Sequence, residues 1–250
     1  MIPMRCVVLP GMDGTGALLD GFIAAMAPRF DTEVIAYPRD RALGYAELAE
    51  FVHPRLPTDR PYLLLGESFS GPVAIALAAQ RPPYLAGLVL CASFARAPRP
   101  PWSPWSAALL PRWATKLPLS RLPDWAVSQM MLGRWSDARW RARLRAALNA
   151  VQPAVLAHRL DAIRDVDTTD MLREIDLPTL YLRATRDRLV GPDSLSAIRR
   201  ARPQLRCVEI EAPHFMLQAC PGKAASAIRQ WCEQAVAPNA APANFHGDRA

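Results

Sequence analysis

The chain has 250 residues, 51% of them hydrophobic and 21% charged, with a net charge of +7. That is enough apolar chain to bury one sizeable core as a globular domain, and no internal repeat is visible. No apolar run approaches the length of a membrane span, and Met1-Ile2-Pro3-Met4-Arg5 leads straight into a strand-like stretch, so neither a signal peptide nor a transmembrane helix is expected and the chain reads as cytoplasmic.

In chain order, strand-like and helix-like stretches alternate. Arg5 to Leu9 reads as a strand, Gly16 to Ala27 as a helix, Glu33 to Tyr37 as a strand and Tyr45 to Leu56 as a helix. A strand over Tyr62 to Leu65, a helix over Gly71 to Gln80 and a strand over Leu85 to Cys91 follow. Such alternation with short connections predicts a parallel sheet covered on both faces. Residues 94–167 break the pattern: they hold no good strand, many prolines and six of the seven tryptophans. Amphipathic spacing there predicts helices over Pro104 to Lys116, Pro123 to Leu132, Ser136 to Val151 and Pro153 to Asp165, an inserted helical cap. The alternation resumes with a strand over Thr179 to Ala184, a helix over Pro192 to Ala201, a strand over Leu205 to Ile210 and a helix over Lys223 to Ala235. The expected organisation is an α/β core of 1–93 and 168–237, a cap of 94–167, and a disordered Pro-, Ala- and Asn-rich tail over 238–250.

The positive charge is regional. From Phe94 to Arg145 there are ten basic residues against Asp124 and Asp137, so this segment carries +8 and the remainder is close to neutral. Because arginine greatly outnumbers lysine throughout, compositional bias is a competing explanation. The five cysteines have no metal-type spacing; Cys6, Cys91 and Cys207 fall in strand-like runs and read as buried free thiols, whereas Cys220 and Cys232 are left open.

The chemistry-bearing stretch is Leu65-Gly66-Glu67-Ser68-Phe69-Ser70-Gly71, a strand, a tight turn and a helix with Ser68 at the apex. A sharp turn there lifts the serine hydroxyl clear of the sheet, and the Phe69 N–H at the start of the following helix can bind developing negative charge. A serine hydroxyl needs a base and a group to orient that base. Of His53, His158, His214 and His246, only His214 follows a late strand in a loop, Glu211-Ala212-Pro213-His214-Phe215. Asp187 follows the preceding strand, in Thr185-Arg186-Asp187-Arg188. The glycine-bearing loop after the first strand, Leu9-Pro10-Gly11-Met12-Asp13-Gly14-Thr15-Gly16, can turn N–H groups inward, and Met12 is the expected second oxyanion donor. The loop lacks the spacing of a nucleotide-binding glycine loop, and Asp13 would repel a phosphate.

Gly66-Glu67-Ser68-Phe69-Ser70 resembles the G-x-S-x-G nucleophile elbow of the α/β-hydrolases, with Ser70 in place of the last glycine, and the order Ser68, Asp187, His214 matches that family's triad. The resemblance extends over nearly the whole chain. It is closest to small capped bacterial carboxylesterases, including the pimeloyl-acyl-carrier-protein methyl ester esterases. The Leu9 to Gly16 stretch together with Gly66-Glu67-Ser68 is also similar to the esterase and acyltransferase domain of phytyl ester synthases. The resemblance implies a mostly parallel sheet of about six strands, reduced at its early edge because the chain opens on what is usually the family's third strand. It implies ester cleavage through an acyl-enzyme, with Ser68 as nucleophile, His214 as base, Asp187 as its orienting acid, and Met12 and Phe69 as the oxyanion hole. No metal or cofactor is required. It further implies a place in biotin biosynthesis. The basic cap would complement an acidic acyl carrier protein, a candidate partner, with Trp135, Arg134, Arg139, Arg141, Arg143 and Arg145 as candidate cap contacts to substrate or carrier. A general carboxylesterase or thioesterase, an acyltransferase on the same triad and a non-catalytic binding protein are the alternatives. No motif points to nucleic acid.

Overall fold

The computed structural model describes residues 3–99 and 123–236. Its centre is a six-stranded parallel sheet in the order β2-β1-β3-β4-β5-β6, formed by β1 (Met4–Leu9), β2 (Phe30–Val34), β3 (Tyr62–Glu67), β4 (Leu85–Cys91), β5 (Thr179–Ala184) and β6 (Arg206–Ile210). The four inner strands carry largely apolar runs because both of their faces are covered. Alternate residues divide between two cores. Val7, Leu9, Leu64, Leu88, Leu90 and Tyr181 meet α2 (Tyr45–Val52), α3 (Gly71–Ala79) and a late helix over Pro192–Ala201. Cys6, Val8, Leu63, Leu65, Val89 and Leu182 meet α1 (Asp20–Met26) and the last long helix, Pro221–Trp231.

The sequence order reverses between β1 and β3. β1 is followed in the chain by its neighbour on one side, β2, while the chain then crosses to β3 on the other. Such a switch point leaves an open crevice beyond the carboxyl ends of the two strands, where ligands of open α/β sheets bind. Register places Leu9 opposite Gly66 and Glu67 opposite Cys91, so the loop after β1 and the turn after β3 leave the sheet side by side.

After β4 the chain runs out as far as Arg96, and it returns at Asp167, where the two form an antiparallel bridge. Ala97 N–H donates to Val166 O at 2.9 Å and Thr168 N–H to Ala95 O at 2.7 Å, closing the base of the excursion. Within it lie α4 (Asp124–Leu132), α5 (Ala138–Asn149) and α6 (Pro153–Asp165). The Asp137 carboxylate caps α5 by accepting the Trp140 N–H at 2.7 Å. Val127, Leu144, Leu148, Val155 and Leu156 form a small core of their own, seated on the sheet domain through Leu18 and Phe215. The expected helix over Pro104 to Lys116 and the tail from Pro238 lie outside the described residues, as do Trp102, Trp105 and Trp113. α7 (Thr169–Arg173), α8 (Pro192–Ala201), α9 (Met216–Ala219) and α10 (Pro221–Trp231) complete the described α-helices.

Two sequence expectations shift. The second strand lies over Phe30–Val34 rather than Glu33 to Tyr37, because it pairs with β1 from Met4 onward and leaves the ladder once Ile35 N–H has bonded Val8 O and Tyr37 N–H has bonded Gly14 O. Its exposed Asp31 and Glu33 belong to an edge strand, so the apolar run that follows was the weaker guide. Cys207 is half-buried rather than buried, because β6 is the other edge; Cys6, Cys91 and Cys232 are buried, and all five thiols are free.

Close packing at the β3 turn is severe. A Cβ on Gly71 would stand 1.8 Å from Ser93 Oγ, whereas one on Gly222 would meet nothing within 4 Å. Gly71→Ala is therefore expected to lower stability by about 3 kcal/mol, the upper range of overpacking. Gly222→Ala, in the exposed first turn of α10, is expected to change it by about 0.5 kcal/mol in the stabilising direction. Urea unfolding of the two variants checks the contrast.

Candidate active site

β3 ends in a turn that raises Ser68. Its backbone adopts φ 49°, a left-handed conformation that costs a non-glycine residue about 1–3 kcal/mol. Gly66 permits the turn, since a Cβ there would stand 2.7 Å from Ser70 O and 2.9 Å from Ala74 Cβ. The Ser68 carbonyl accepts from Ser93 Oγ at 2.5 Å and from the Gly71 N–H, which holds the strained residue in place.

The structure brings Ser68, His214 and Asp187 together from the ends of β3, β6 and β5. Ser68 Oγ lies 2.7 Å from His214 Nε2, and His214 Nδ1 lies 2.8 Å from Asp187 Oδ2. With Asp187 accepting from Nδ1–H, the Nε2 lone pair faces the serine hydroxyl. The His214 and Asp187 side chains are each only 4% exposed, while Ser68 is half-buried and open to a ligand. The other Asp187 oxygen accepts from the N–H groups of Leu189 at 2.8 Å and Val190 at 2.9 Å, so the carboxylate is fixed by its own loop. Burial pushes His214 toward the neutral form, but the charge and hydrogen bond of Asp187, joined by the charge of Glu67, outweigh it and hold the imidazole pKa above its ordinary value.

The loop after β1 is held from several sides. Pro10 O accepts from Ser70 Oγ, Gly11 N–H donates to Glu67 Oε2 at 3.2 Å, Gly11 O accepts from Gly14 N–H at 2.9 Å, and Gly14 O accepts from Tyr37 N–H at 2.8 Å. The carbonyls of Met12 and Asp13 both accept from Arg159 Nη1 at 2.9 Å. Among the described residues the N–H groups of Met12 and Asp13 are left without a protein partner. A loop tied to the β3 turn in this way, with these donors unspent, can receive a developing oxyanion.

Glu67 and Arg159 were not singled out by sequence reasoning, and Ser70 only as a departure from the elbow pattern, although each left a signal. Glu67 is a carboxyl at the end of a fully buried strand; burial pushes it up to about 7, with Asp13 adding to the shift and the hydrogen bond from Gln218 Nε2 at 2.8 Å the main opposing influence. Ser70 fills the last position of the elbow pattern, is fully buried, and exchanges a 2.6 Å hydrogen bond with Tyr37 Oη. Arg159 stands four residues after Val155 and three after Leu156, on the apolar stripe of α6.

The cap residues chosen from sequence do not converge on Ser68 in one group. Arg134 pairs with Glu211 at 3.0 Å, Arg143 with Asp20 at 2.6 Å, and Arg145 with Asp124. Arg139 is exposed, and Arg141 is half-buried beside Asp124 and Arg145. Trp135 and Arg134 line a cavity of about 470 Å³ with Gly133, Arg186, Asp187 and Arg188. Among the described residues no three His, Cys, Asp or Glu side chains converge as a metal site requires, and no helix is long and apolar enough to cross a membrane.

A parallel sheet with its switch point at β1 and β3, a strained serine after β3 and an aspartate and histidine after the last two strands define a hydrolase-type α/β architecture. The chain belongs to the alpha/beta hydrolase fold family, whose model matches residues 36–217. It is similar to the crystal structure of the enol-lactonase from Burkholderia xenovorans LB400, with 17% identity, a TM-score of 0.76 and 92% of each chain covered. It is also similar to a thermophilic esterase from Thermogutta terrifontis, at 22% identity and a TM-score of 0.71 over 92% of this chain and 90% of that one. The bromoperoxidase from Bacillus anthracis gives a TM-score of 0.77 at 14% identity, with 92% of each chain covered. At these identities the likeness is one of fold. No curated protein matches the sequence.

The two carboxyl groups make separable contributions to His214. Asp187→Asn removes both a charge and a hydrogen-bond acceptor and is expected to lower the His214 pKa strongly; Glu67→Gln removes only a neighbouring charge and is expected to lower it less. Titration of the imidazole followed by NMR checks the order, and equal shifts would contradict it.

Proposed function

We propose that this protein is a serine hydrolase that cleaves a carboxylic ester through an acyl-enzyme. The observation that carries this reading is the hydrogen-bonded chain from Ser68 Oγ through His214 to Asp187, at 2.7 and 2.8 Å, beside a loop with unspent N–H donors. In this reading Ser68 attacks the ester carbonyl and His214 Nε2 takes its proton, then returns it to the leaving alcohol. Asp187 holds the productive tautomer and stabilises the imidazolium, while the N–H groups of Met12 and Phe69 bind the oxyanion. Water, activated by the same imidazole, releases the acid. The helical segment 94–167 acts as a cap over the site, and 1–93 with 168–237 forms the core.

Two structural neighbours described as an enol-lactonase and an esterase support ester chemistry without fixing the substrate. A methyl ester on an acyl carrier protein is the finer reading. What favours it is the exposed Arg139 and the half-buried Arg141, which have no ion-pair partner among the described residues and remain available to an acidic surface. Arg134, Arg143 and Arg145 are engaged with acids of this chain, which narrows the candidate docking residues to those two.

Ser68→Ala is expected to reduce turnover of p-nitrophenyl acetate by at least about 10⁴-fold and to abolish labelling by a fluorophosphonate probe, with the fold intact. Undiminished labelling at another residue would sink the assignment. Reversing both Arg139 and Arg141 to Glu should raise KM for a carrier-bound methyl ester by about tenfold and leave the free ester unchanged. Equal effects on the two substrates would leave a general small-ester hydrolase.

A further inference from the structure

Arg159 is among the largest fully buried side chains of the protein, at 1% exposure. A buried cation needs compensation, and this one finds it on three backbone carbonyls: Nη1 donates to Met12 O and Asp13 O, each at 2.9 Å, and Nη2 to Pro38 O at 2.8 Å. Its Cζ lies 5.5 Å from the centroid of the Tyr37 ring. The loop makes room for it: Gly14, at φ +70°, would place a Cβ only 2.5 Å from Nη1. A side chain of the cap helix α6 is thus built into the loop that carries the Met12 N–H.

The charges around that loop give the arrangement a purpose. Glu67 lies behind it on the Gly11 N–H, and the Asp13 carboxylate is folded back on Thr15 within it. The Asp13 charge adds to the upward push on the Glu67 carboxyl, and it favours the charged form of Arg159. An oxyanion forming at Met12 would add a further negative charge to this region. Without a cation here, the local field would disfavour the very charge that the N–H groups are placed to receive.

We propose that Arg159 is a positioning residue for the oxyanion loop. From the cap, it anchors the Met12 and Asp13 carbonyls so that the loop's unspent N–H groups stay directed at the reacting carbonyl oxygen, and its charge offsets that of Asp13 as the oxyanion forms. The inference rests on the reading of Ser68 as nucleophile. It makes the cap part of the transition-state machinery as well as a cover for substrate.

The test compares Arg159→Met and Arg159→Lys with the native chain and with Ser68→Ala. Two readouts are used: kcat and KM for p-nitrophenyl acetate, and the inhibition constant of phenylboronic acid, whose tetrahedral adduct on the serine places an oxygen where the oxyanion would lie. Arg159→Met should lower kcat by about 10²-fold, move KM by less than about threefold, and weaken boronate binding in parallel with kcat. Arg159→Lys, which restores the charge without the three-carbonyl clamp, should recover part of both. A merely structural role predicts the opposite pattern, with a lower melting temperature but native kcat and boronate affinity in the folded protein, and that result would overturn the proposal. If the Met variant does not fold, the Lys variant decides: weakened boronate binding with an unaltered fold supports the proposal, and native values on both readouts overturn it. If Ser68→Ala keeps native turnover, the nucleophile reading itself falls and takes the inference with it, an outcome recognisable without either arginine variant.

Discussion

The register between β1 and β3 is the constraint on which the site depends. Because Leu9 lies opposite Gly66, the loop after one strand and the turn after the other emerge as neighbours, and they do so at the point where the strand order reverses. A shift of one residue would turn the apolar sets of both strands toward the wrong core, so two buried faces fix this alignment. The site inherits its precision from that burial. Nothing in the loop or the turn could bring the two together unless Val7, Leu9 and Leu64 had first chosen one face while Val8, Leu63 and Leu65 chose the other.

The remaining geometry follows from the same edge of the sheet. Ala184 pairs with Ile210, so the loops carrying Asp187 and His214 leave β5 and β6 level with each other. Asp187 is held by the N–H groups two and three residues further on, a local turn that would form with little help from elsewhere. His214 has no comparable anchor in its own loop and takes its orientation from Asp187 on one nitrogen and Ser68 on the other. The acid is preset by its turn; the base is set by its partners.

Much of this was legible in the sequence where a single local rule governed. Leu85–Cys91, Thr179–Ala184, Pro153–Asp165 and Pro192–Ala201 have the bounds that apolar runs and helix-starting prolines predict. Ser68, Asp187 and His214 could be found because each sits just past a strand in a fixed chain order. The second strand was misplaced because an edge strand advertises itself by pairing rather than by hydrophobicity. Glu67 and Arg159 were passed over for a related reason: a charged residue in an apolar stripe breaks the pattern being read, and its meaning depends on groups 56 residues away for Glu67 and 147 for Arg159. The short helices Thr169–Arg173 and Met216–Ala219 are too brief to show a periodicity.

Ser70 carries a consequence for how such sites are recognised. In the usual pattern the fifth residue is glycine because helix and strand must touch; here the contact that leaves no room for a Cβ falls one residue later, at Gly71, against Ser93. The vacated position holds a hydroxyl that ties the turn to Pro10 and Tyr37. A text pattern that insists on the fifth glycine would pass over this protein, whereas one written in terms of the contact, a residue without a side chain facing the end of β4, would find it.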